Sequence, residues 1–167
     1  MVPPLRSEET RRSLLDSTLT GLSSVIASDH APHTIKEKDQ SPGTSPPGVP
    51  GLETTLPLML TLVNKQAMRL PLLVKLLCEN PAKIFGLKSK ARLRNRADGD
   101  VVLVDLKKKS RIDSSKFFSK AKFSPFDGFK TQGAVHSTIV GGRVVYREGE
   151  ILAWEGCGSV LRSRFSG

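Results

Sequence analysis

The segment from Val25 to His33 constrains the fold of this chain more than any other. A short apolar run is followed within six residues by one carboxylate and two imidazoles, with Pro32 just before the second imidazole. Parallel α/β folds and barrels place their chemistry at the carboxyl ends of buried strands. The pattern therefore predicts a short buried strand over residues 24–28 that ends at a functional cleft.

Asp29 is the first candidate for a catalytic residue. At the carboxyl end of such a strand, its carboxylate would face the cleft, where it can bind a divalent metal and exchange a proton with metal-bound water. The alternative is a structural Asp that forms an Asx-turn, which is a common role for this residue type after a strand.

His30 and His33 are two of the three histidines of the chain. They can bind a metal only if further ligands surround the same ion, and their spacing in a proline-containing loop does not ensure that. We therefore predict a supporting or structural role for His30, and we predict that His33 donates to an anionic substrate. The third histidine, His136, is expected at the surface.

Residues 34–51 are rich in Pro, Gly, Ser and Thr and predict a long loop. Long ordered loops beside a catalytic strand end commonly serve as lids or binding loops, and the alternative is a disordered linker. Residues 47–53 read Pro-Gly-Val-Pro-Gly-Leu-Glu, and the backbone of Gly48 can approach a substrate carboxylate closely because glycine has no side chain. A plain turn into the next helix explains the same residues.

The rest of the sequence divides into a helical part and a strand-rich part. Apolar periodicity and capping residues predict helices over residues 7–20, 52–64, 71–78 and 80–86. Strands are predicted over residues 101–105, 135–140, 143–147 and 151–154, with Gly141 and Gly142 as a two-residue hairpin turn. The order predicts an α/β unit, then a β-meander, with the boundary near residues 88–98.

Composition and charge exclude several classes of protein. The chain of 167 residues carries a formal net charge of +10, from 26 Lys and Arg against 16 Asp and Glu. Its apolar stretches are shorter than the ~20 residues of a membrane span. Two cysteines and the lack of an apolar signal region favour the cytoplasm. Residues 86–130 are strongly basic, but no aromatic residues are interleaved in the runs 88–96 and 107–111 to stack bases, which argues against nucleic-acid binding.

Five motifs, in the same order, resemble the dihydroorotases of the amidohydrolase superfamily. They are Pro-Pro-Leu-Arg at 3–6, Ser-Asp-His-Ala-Pro-His at 28–33, Pro-Gly-Val-Pro-Gly-Leu-Glu-Thr at 47–54, Glu-Asn-Pro-Ala-Lys-Ile-Phe-Gly-Leu at 79–87 and Ser-Pro-Phe-Asp-Gly at 124–128. Hydantoinases and allantoinases share the scaffold, and among these families His33 favours dihydroorotase.

The resemblance implies zinc-dependent, reversible hydrolysis of the cyclic amide dihydroorotate to N-carbamoyl-aspartate in pyrimidine synthesis. It implies that Asp29 is a zinc ligand and the general acid/base, that His33 binds the carboxylate-bearing substrate, and that Pro47 and Gly48 contact that substrate. The chain would be the carboxyl-terminal portion of a TIM-like (β/α)8 barrel over residues 1–90. Part of a small β-sandwich would follow over residues 91–155, and a flexible tail over residues 156–167.

The chain also departs from this family. A His-x-His pair, a carboxylated lysine and further histidines of the family have no match here, and a closed barrel takes ~250 residues. The family usually has a substrate-binding asparagine at the position of Val2. We therefore expect an incomplete enzyme that is inactive unless a complementing amino-terminal half supplies the missing part of the barrel; a homo-oligomer is the other partner expected.

Other functions compete with this interpretation. One is a non-catalytic dihydroorotase-like subunit or remnant, which predicts neither metal nor activity with any partner. Another is a cyclic amidohydrolase of the hydantoinase or allantoinase type. The last is a basic nucleic-acid-binding module, whose binding would depend steeply on salt.

Overall fold

Helices occupy the first half of the chain and an antiparallel sheet occupies the second. The computed structural model describes residues 4–41 and 43–161. The helices are α1 (Glu8–Leu19), α2 (Ile35–Lys38), α3 (Thr55–Asn64), α4 (Leu70–Val74) and α5 (Asn80–Ile84), with a π-turn over Lys75–Glu79 and a 3-10 turn over Ser114–Lys116. The strands are β1 (Val101–Arg111), β2 (Lys130–Val140), β3 (Arg143–Arg147) and β4 (Glu150–Ile151).

The first helix begins as predicted. The hydroxyl of Ser7 accepts the N–H of Thr10 at 3.3 Å, which satisfies one of the free donors of the first turn. Glu8 and Glu9 lie in that turn, where the helix dipole favours negative charge.

The predicted strand over residues 24–28 is not formed, and this prediction was wrong. Residues 22–29 carry no regular secondary structure. The N–H of Ile26 donates to the carbonyl of Leu76 at 3.2 Å, and the side-chain amide of Asn80 donates to the carbonyl of Ser24 at 2.7 Å. A β-strand needs a hydrogen-bonded neighbouring strand. Within residues 4–41 and 43–161, these two hydrogen bonds instead join the segment to the helical run that contains Leu76 and Asn80.

The loop over residues 34–51 contains the short helix α2, which the sequence did not predict. Thr34 and Glu37 form a capping box: the N–H of Thr34 donates to the Glu37 carboxylate at 2.6 Å, and the N–H of Glu37 donates to the Thr34 hydroxyl at 3.3 Å. The hydroxyl of Ser45 donates to the carbonyl of Lys38 at 2.9 Å, so the chain folds back on this helix. These contacts favour an ordered loop over a linker.

The two helices predicted over residues 71–78 and 80–86 form one continuous helical run. Pro81 cannot donate to the carbonyl four residues earlier, and in a regular α-helix its ring would clash with that carbonyl. The π-turn widens the backbone just before it, and the N–H of Asn80 reaches the carbonyl of Lys75. The helix therefore continues through the proline.

The four strands form one antiparallel sheet in the order β1-β2-β3-β4. The hairpin turn at Gly141 and Gly142 is confirmed; both glycines have positive φ, as a two-residue turn of this kind requires. β1 and β2 each span 11 residues and are longer than predicted. A register shift between Asp105 and Lys109 interrupts the alternation of side chains along β1. β4 ends at Ile151, earlier than predicted.

The core lies between α3 and the sheet. Leu60, Met68 and Leu73 are buried together, with Ile26 and Leu106 packed against them. The sheet thus packs on α3, which begins shortly after the loop over residues 34–51. The proposed boundary between residues 1–90 and 91–155 stays a prediction.

Several other expectations concern the ends of the chain and its relation to membranes. Residues 162–167 of the expected tail, and Val2, lie outside the described residues; residues 156–161 are exposed. Within the described ranges, no helix is both long enough and apolar enough to span a bilayer.

Candidate active site

Asp29 occupies a strained backbone position at the surface. Its φ is +44° and the residue is exposed. Positive φ is uncommon for residues other than glycine, although Asp tolerates it better than most, and it costs roughly 1–3 kcal/mol. Such strain persists only where surrounding contacts hold the chain, and it is concentrated at functional sites. The contacts that follow Asp29 supply that support.

The ring of His30 anchors the end of the loop. Its Nδ1 atom accepts the N–H of Gly51 at 3.0 Å and the N–H of Leu52 at 3.2 Å. His30 also forms a parallel bridge with Val49, and the N–H of Ala31 donates to the carbonyl of Val49 at 3.1 Å. These contacts join residues 30–31 to residues 49–52, and they agree with the structural role predicted for His30.

Two glycines allow this close approach. A Cβ on Gly48 would lie 2.4 Å from the Cβ of Ala31, and a Cβ on Gly51 would lie 2.5 Å from the carbonyl oxygen of Ser28. Gly48 has a φ of +107°, which a residue with a side chain rarely adopts. Gly48 is buried and Pro47 is exposed. The backbone of the Pro-Gly-Val-Pro-Gly motif thus packs directly on the segment that carries Asp29.

His33 lies between the Asp29 segment and α2. The residue is partly exposed and precedes Thr34, the N-cap of that helix. Hydrogen bonds from the backbone and hydroxyl of Thr34 lower the pKa of Glu37, and the nearby charge of His33 lowers it further. Among the predicted site residues, the structure brings the Gly48 backbone against the residues that follow Asp29. The structure places His33 in a partly exposed position, from which its charge acts on Glu37.

Glu53 was not singled out in the sequence. Its carboxylate accepts the N–H of Phe118 at 3.0 Å and the N–H of Ser119 at 3.2 Å, across 65 residues. Glu53 therefore ties the end of the loop to the segment between β1 and β2. Its place at the end of the motif over residues 47–53 was the available signal. A carboxylate near a helix start is equally typical of a simple dipole contact.

The described residues do not complete a metal site. A catalytic zinc takes three protein ligands and keeps a further position open. Within residues 4–41 and 43–161, no group of three or more His, Cys, Asp or Glu side chains is placed to hold an ion. His30 uses Nδ1 to accept two backbone N–H groups. The exposed carboxylate of Asp29 offers one oxygen ligand, and an ion would need the others from elsewhere.

The Amidohydrolase family matches residues 3–145, and the chain belongs to this family. Its members are generally metal-dependent. The match includes the Asp29 segment, the glycine motif and most of the sheet.

Individual proteins similar to this chain include dihydroorotases and hydantoinases. The chain is 44% identical to a dihydroorotase from Methanothermobacter thermautotrophicus over 99% of its own length and 37% of that protein, and 41% identical to a dihydroorotase from Bacillus cytotoxicus over 91% and 36%. Among solved structures, an L-hydantoinase from Arthrobacter aurescens is 40% identical with a TM-score of 0.85, over 90% of this chain and 35% of that one. A D-hydantoinase from a Thermus species is 27% identical with a TM-score of 0.90, over 98% and 37%. The chain thus spans little more than a third of these relatives.

Proposed function

We propose that this chain supplies one part of a cyclic amidohydrolase of the dihydroorotase type, which converts dihydroorotate reversibly to N-carbamoyl-aspartate in pyrimidine synthesis. One observation carries the proposal: the bridge between His30 and Val49 holds the Gly48 backbone against the segment that presents Asp29. The exposed Asp29 thereby lies in a segment against which the loop packs. The similarity to dihydroorotases supports the choice of reaction.

Each site residue has a defined role in this proposal. Asp29 takes and returns a proton during hydrolysis and provides one oxygen ligand to the metal. His33 donates to the carboxylate of the substrate, since an imidazole N–H is a suitable partner for an anion. Pro47, which is exposed, and Gly48 contact the same substrate through the loop, and the missing side chain of Gly48 lets this part of the loop pack on Ala31.

The proposed metal is zinc, and it requires a complementing partner. Because Asp29 is the one ligand assigned in this chain, the other ligands must come from a complementing portion of an amidohydrolase. We expect the isolated chain to bind zinc weakly and to have no turnover. The cytoplasm is the proposed location, and the two cysteines, Cys78 and Cys157, are free and exposed.

The second candidate function is hydrolysis of a hydantoin. The 40% identity to an L-hydantoinase favours it, since this value is close to the identities with the dihydroorotases. Both reactions open a cyclic amide, and they differ in the carboxylate that His33 is proposed to bind. Turnover of dihydroorotate and of hydantoins by the same preparation separates the two.

The test uses a fused enzyme, in which the full chain replaces the matched segment of the Methanothermobacter dihydroorotase. We expect this fused enzyme to bind zinc and to hydrolyse dihydroorotate. A folded fused enzyme that neither binds zinc nor turns over substrate would instead support a non-catalytic subunit or remnant.

The substitution Asp29→Asn tests the central residue. Asn tolerates positive φ as Asp does, so the backbone at this position is retained. Because the amide cannot exchange the proton, we expect kcat to fall by about 10²–10⁴-fold. Asp39→Asn, at an exposed Asp that ends α2, is the matched control and should keep full activity. Equal activity in both variants would refute the role of Asp29.

A further inference from the structure

We propose that His30 is a positioning residue: its ring holds the Val49–Leu52 backbone against the Asp29 segment, and the loop binds substrate only while this contact exists. The catalytic consequence rests on the proposed function. The positioning itself concerns this chain alone and is tested independently of any activity.

The tautomer of His30 follows from its two donors. Gly51 and Leu52 both direct a backbone N–H at Nδ1, at 3.0 and 3.2 Å. A nitrogen that accepts from two N–H groups carries no proton, so the single ring proton lies on Nε2. The contact therefore requires the Nε2–H tautomer of the ring.

The position of this contact explains its effect on the loop. Gly51 and Leu52 end the loop and lead into α3, and the hydroxyl of Thr55 donates to the carbonyl of Gly51 at 2.8 Å. The ring thus fixes the loop at the point where the loop joins a helix of the core. On the other side of the Val49 bridge lies Gly48, which contacts Ala31.

The ring contact depends on the side chain, whereas the neighbouring bridge does not. The hydrogen bond from Ala31 to Val49 uses backbone atoms that almost any residue would supply. Loss of the ring leaves the N–H of Gly51 without its acceptor in a partly buried position, which costs roughly 1–3 kcal/mol, whereas the N–H of Leu52 is exposed. The loop end would then move to reach water. Gly48 would lose its position beside Ala31, although Asp29 itself is unchanged.

Two substitutions separate acceptor chemistry from ring volume. In His30→Asn, the side-chain oxygen can replace Nδ1 as acceptor, because both atoms lie the same number of bonds from the backbone. In His30→Leu, the volume is retained and the acceptor is lost. His136→Leu is the matched control at an exposed histidine on β2.

Hydrogen exchange of the fused enzyme provides the first readout. We expect His30→Leu to accelerate exchange at Gly51 and Leu52 by about tenfold or more, whereas His30→Asn and His136→Leu leave it near the original rate. Nitrogen-15 NMR of labelled histidine should show His30 protonated at Nε2. An Nδ1–H tautomer, or unchanged exchange in His30→Leu, would overturn the proposal.

Kinetics provide the second readout. We expect His30→Leu to raise KM for dihydroorotate about tenfold with a smaller change in kcat, because the loop binds substrate and Asp29 performs the proton transfer. His30→Asn should restore most of the affinity. Altered exchange together with unchanged KM would overturn the link between loop and substrate. If the fused enzyme has no turnover in any form, the proposed function fails, and the exchange and NMR results still decide whether His30 positions the loop.

Discussion

At the residue scale, the candidate site depends on two backbone positions that few residues can occupy. Asp29 has a φ of +44° and Gly48 a φ of +107°. The first carries a side chain in spite of strain, and the absence of a side chain at the second lets two segments meet. Each residue directly precedes one partner of the parallel bridge between His30 and Val49. The site is therefore sensitive to single added or removed atoms.

A methyl group at Gly48 should disrupt this arrangement. In Gly48→Ala, the new Cβ would overlap the Cβ of Ala31 at 2.4 Å, in addition to the strain of a positive φ. We expect the fused enzyme to lose roughly 2–4 kcal/mol of stability, measured by urea unfolding, and to bind dihydroorotate more weakly.

Gly43→Ala is the control for backbone strain alone. Gly43 has a φ of +99°, and a Cβ there meets nothing within 4 Å. We expect a loss of about 1–2 kcal/mol and unchanged KM. An equal loss of stability in both variants would show that the contact with Ala31 has no energetic importance.

At the scale of elements, helix α3 is held to strand β2 by polar groups as well as by its apolar face. The hydroxyl of Thr61 accepts the N–H of Gln132 at 2.9 Å, and the side-chain amide of Asn64 donates to the carbonyl of Gln132 at 3.0 Å. Next to them, a Cβ on Gly133 would lie 2.6 Å from the Cβ of Leu60. The helix and the strand thus fit at one register.

Thr61→Val tests this polar contact. The substitution keeps the shape of the side chain and removes the acceptor, so the N–H of Gln132 loses its partner in a half-buried place. We expect the free energy of unfolding to fall by roughly 1–3 kcal/mol in urea titrations of the full chain. Thr61→Ser keeps the hydroxyl and should lose distinctly less. A Ser variant less stable than the Val variant would show that the methyl group, and not the hydrogen bond, stabilises the interface.

At the scale of the whole molecule, the segment between the last helix and the sheet is tied to the β2–β3 hairpin by charge. Lys90 forms ion pairs with Asp98, at 2.9 Å, and with Asp100. Asp100 also accepts the N–H of Gly141 at 2.7 Å, and the carbonyl of Gly99 accepts the N–H of Gly142 at 2.9 Å. The hydrogen bond and charge of Lys90 lower the pKa of both carboxyl groups, and for Asp100 the N–H of Gly141 adds to this.

These pKa directions predict a loss of stability in acid. A carboxyl group whose pKa is lower in the folded state stabilises the fold above its unfolded pKa of 3.8, and this contribution disappears as the pH falls through the lower folded value. Lys90→Met should therefore lower the melting temperature at pH 6 by a few degrees and have little further effect near pH 2. Lys88→Met, at an exposed neighbouring lysine, is the control. Equal effects of Lys90→Met at both pH values would contradict this account.

Local signals predicted much of the fold. The cap at Ser7, the glycine pair at the hairpin and the apolar stripe of α3 each depend on contacts within a few residues, so the sequence alone indicates them. The strand over residues 24–28 was wrong because a short apolar run does not specify a pairing partner, and none of these residues is fully buried. Helix α2 was missed because its four residues are stabilised by the Thr34–Glu37 box within a segment dominated by glycine and proline.

The sequence by itself determined which chemical groups are present: a carboxylate after an apolar run, a glycine motif and the family to which both belong. Only the tertiary structure decided that the ring of His30 accepts from Gly51 and Leu52, that Glu53 reaches Phe118 and Ser119, and that Gln132 pairs with α3. The physical reason is distance along the chain. A hydrogen bond between residues 21 to 71 positions apart produces no periodic pattern in the sequence. Its partners meet only because the chain segments between them pack together.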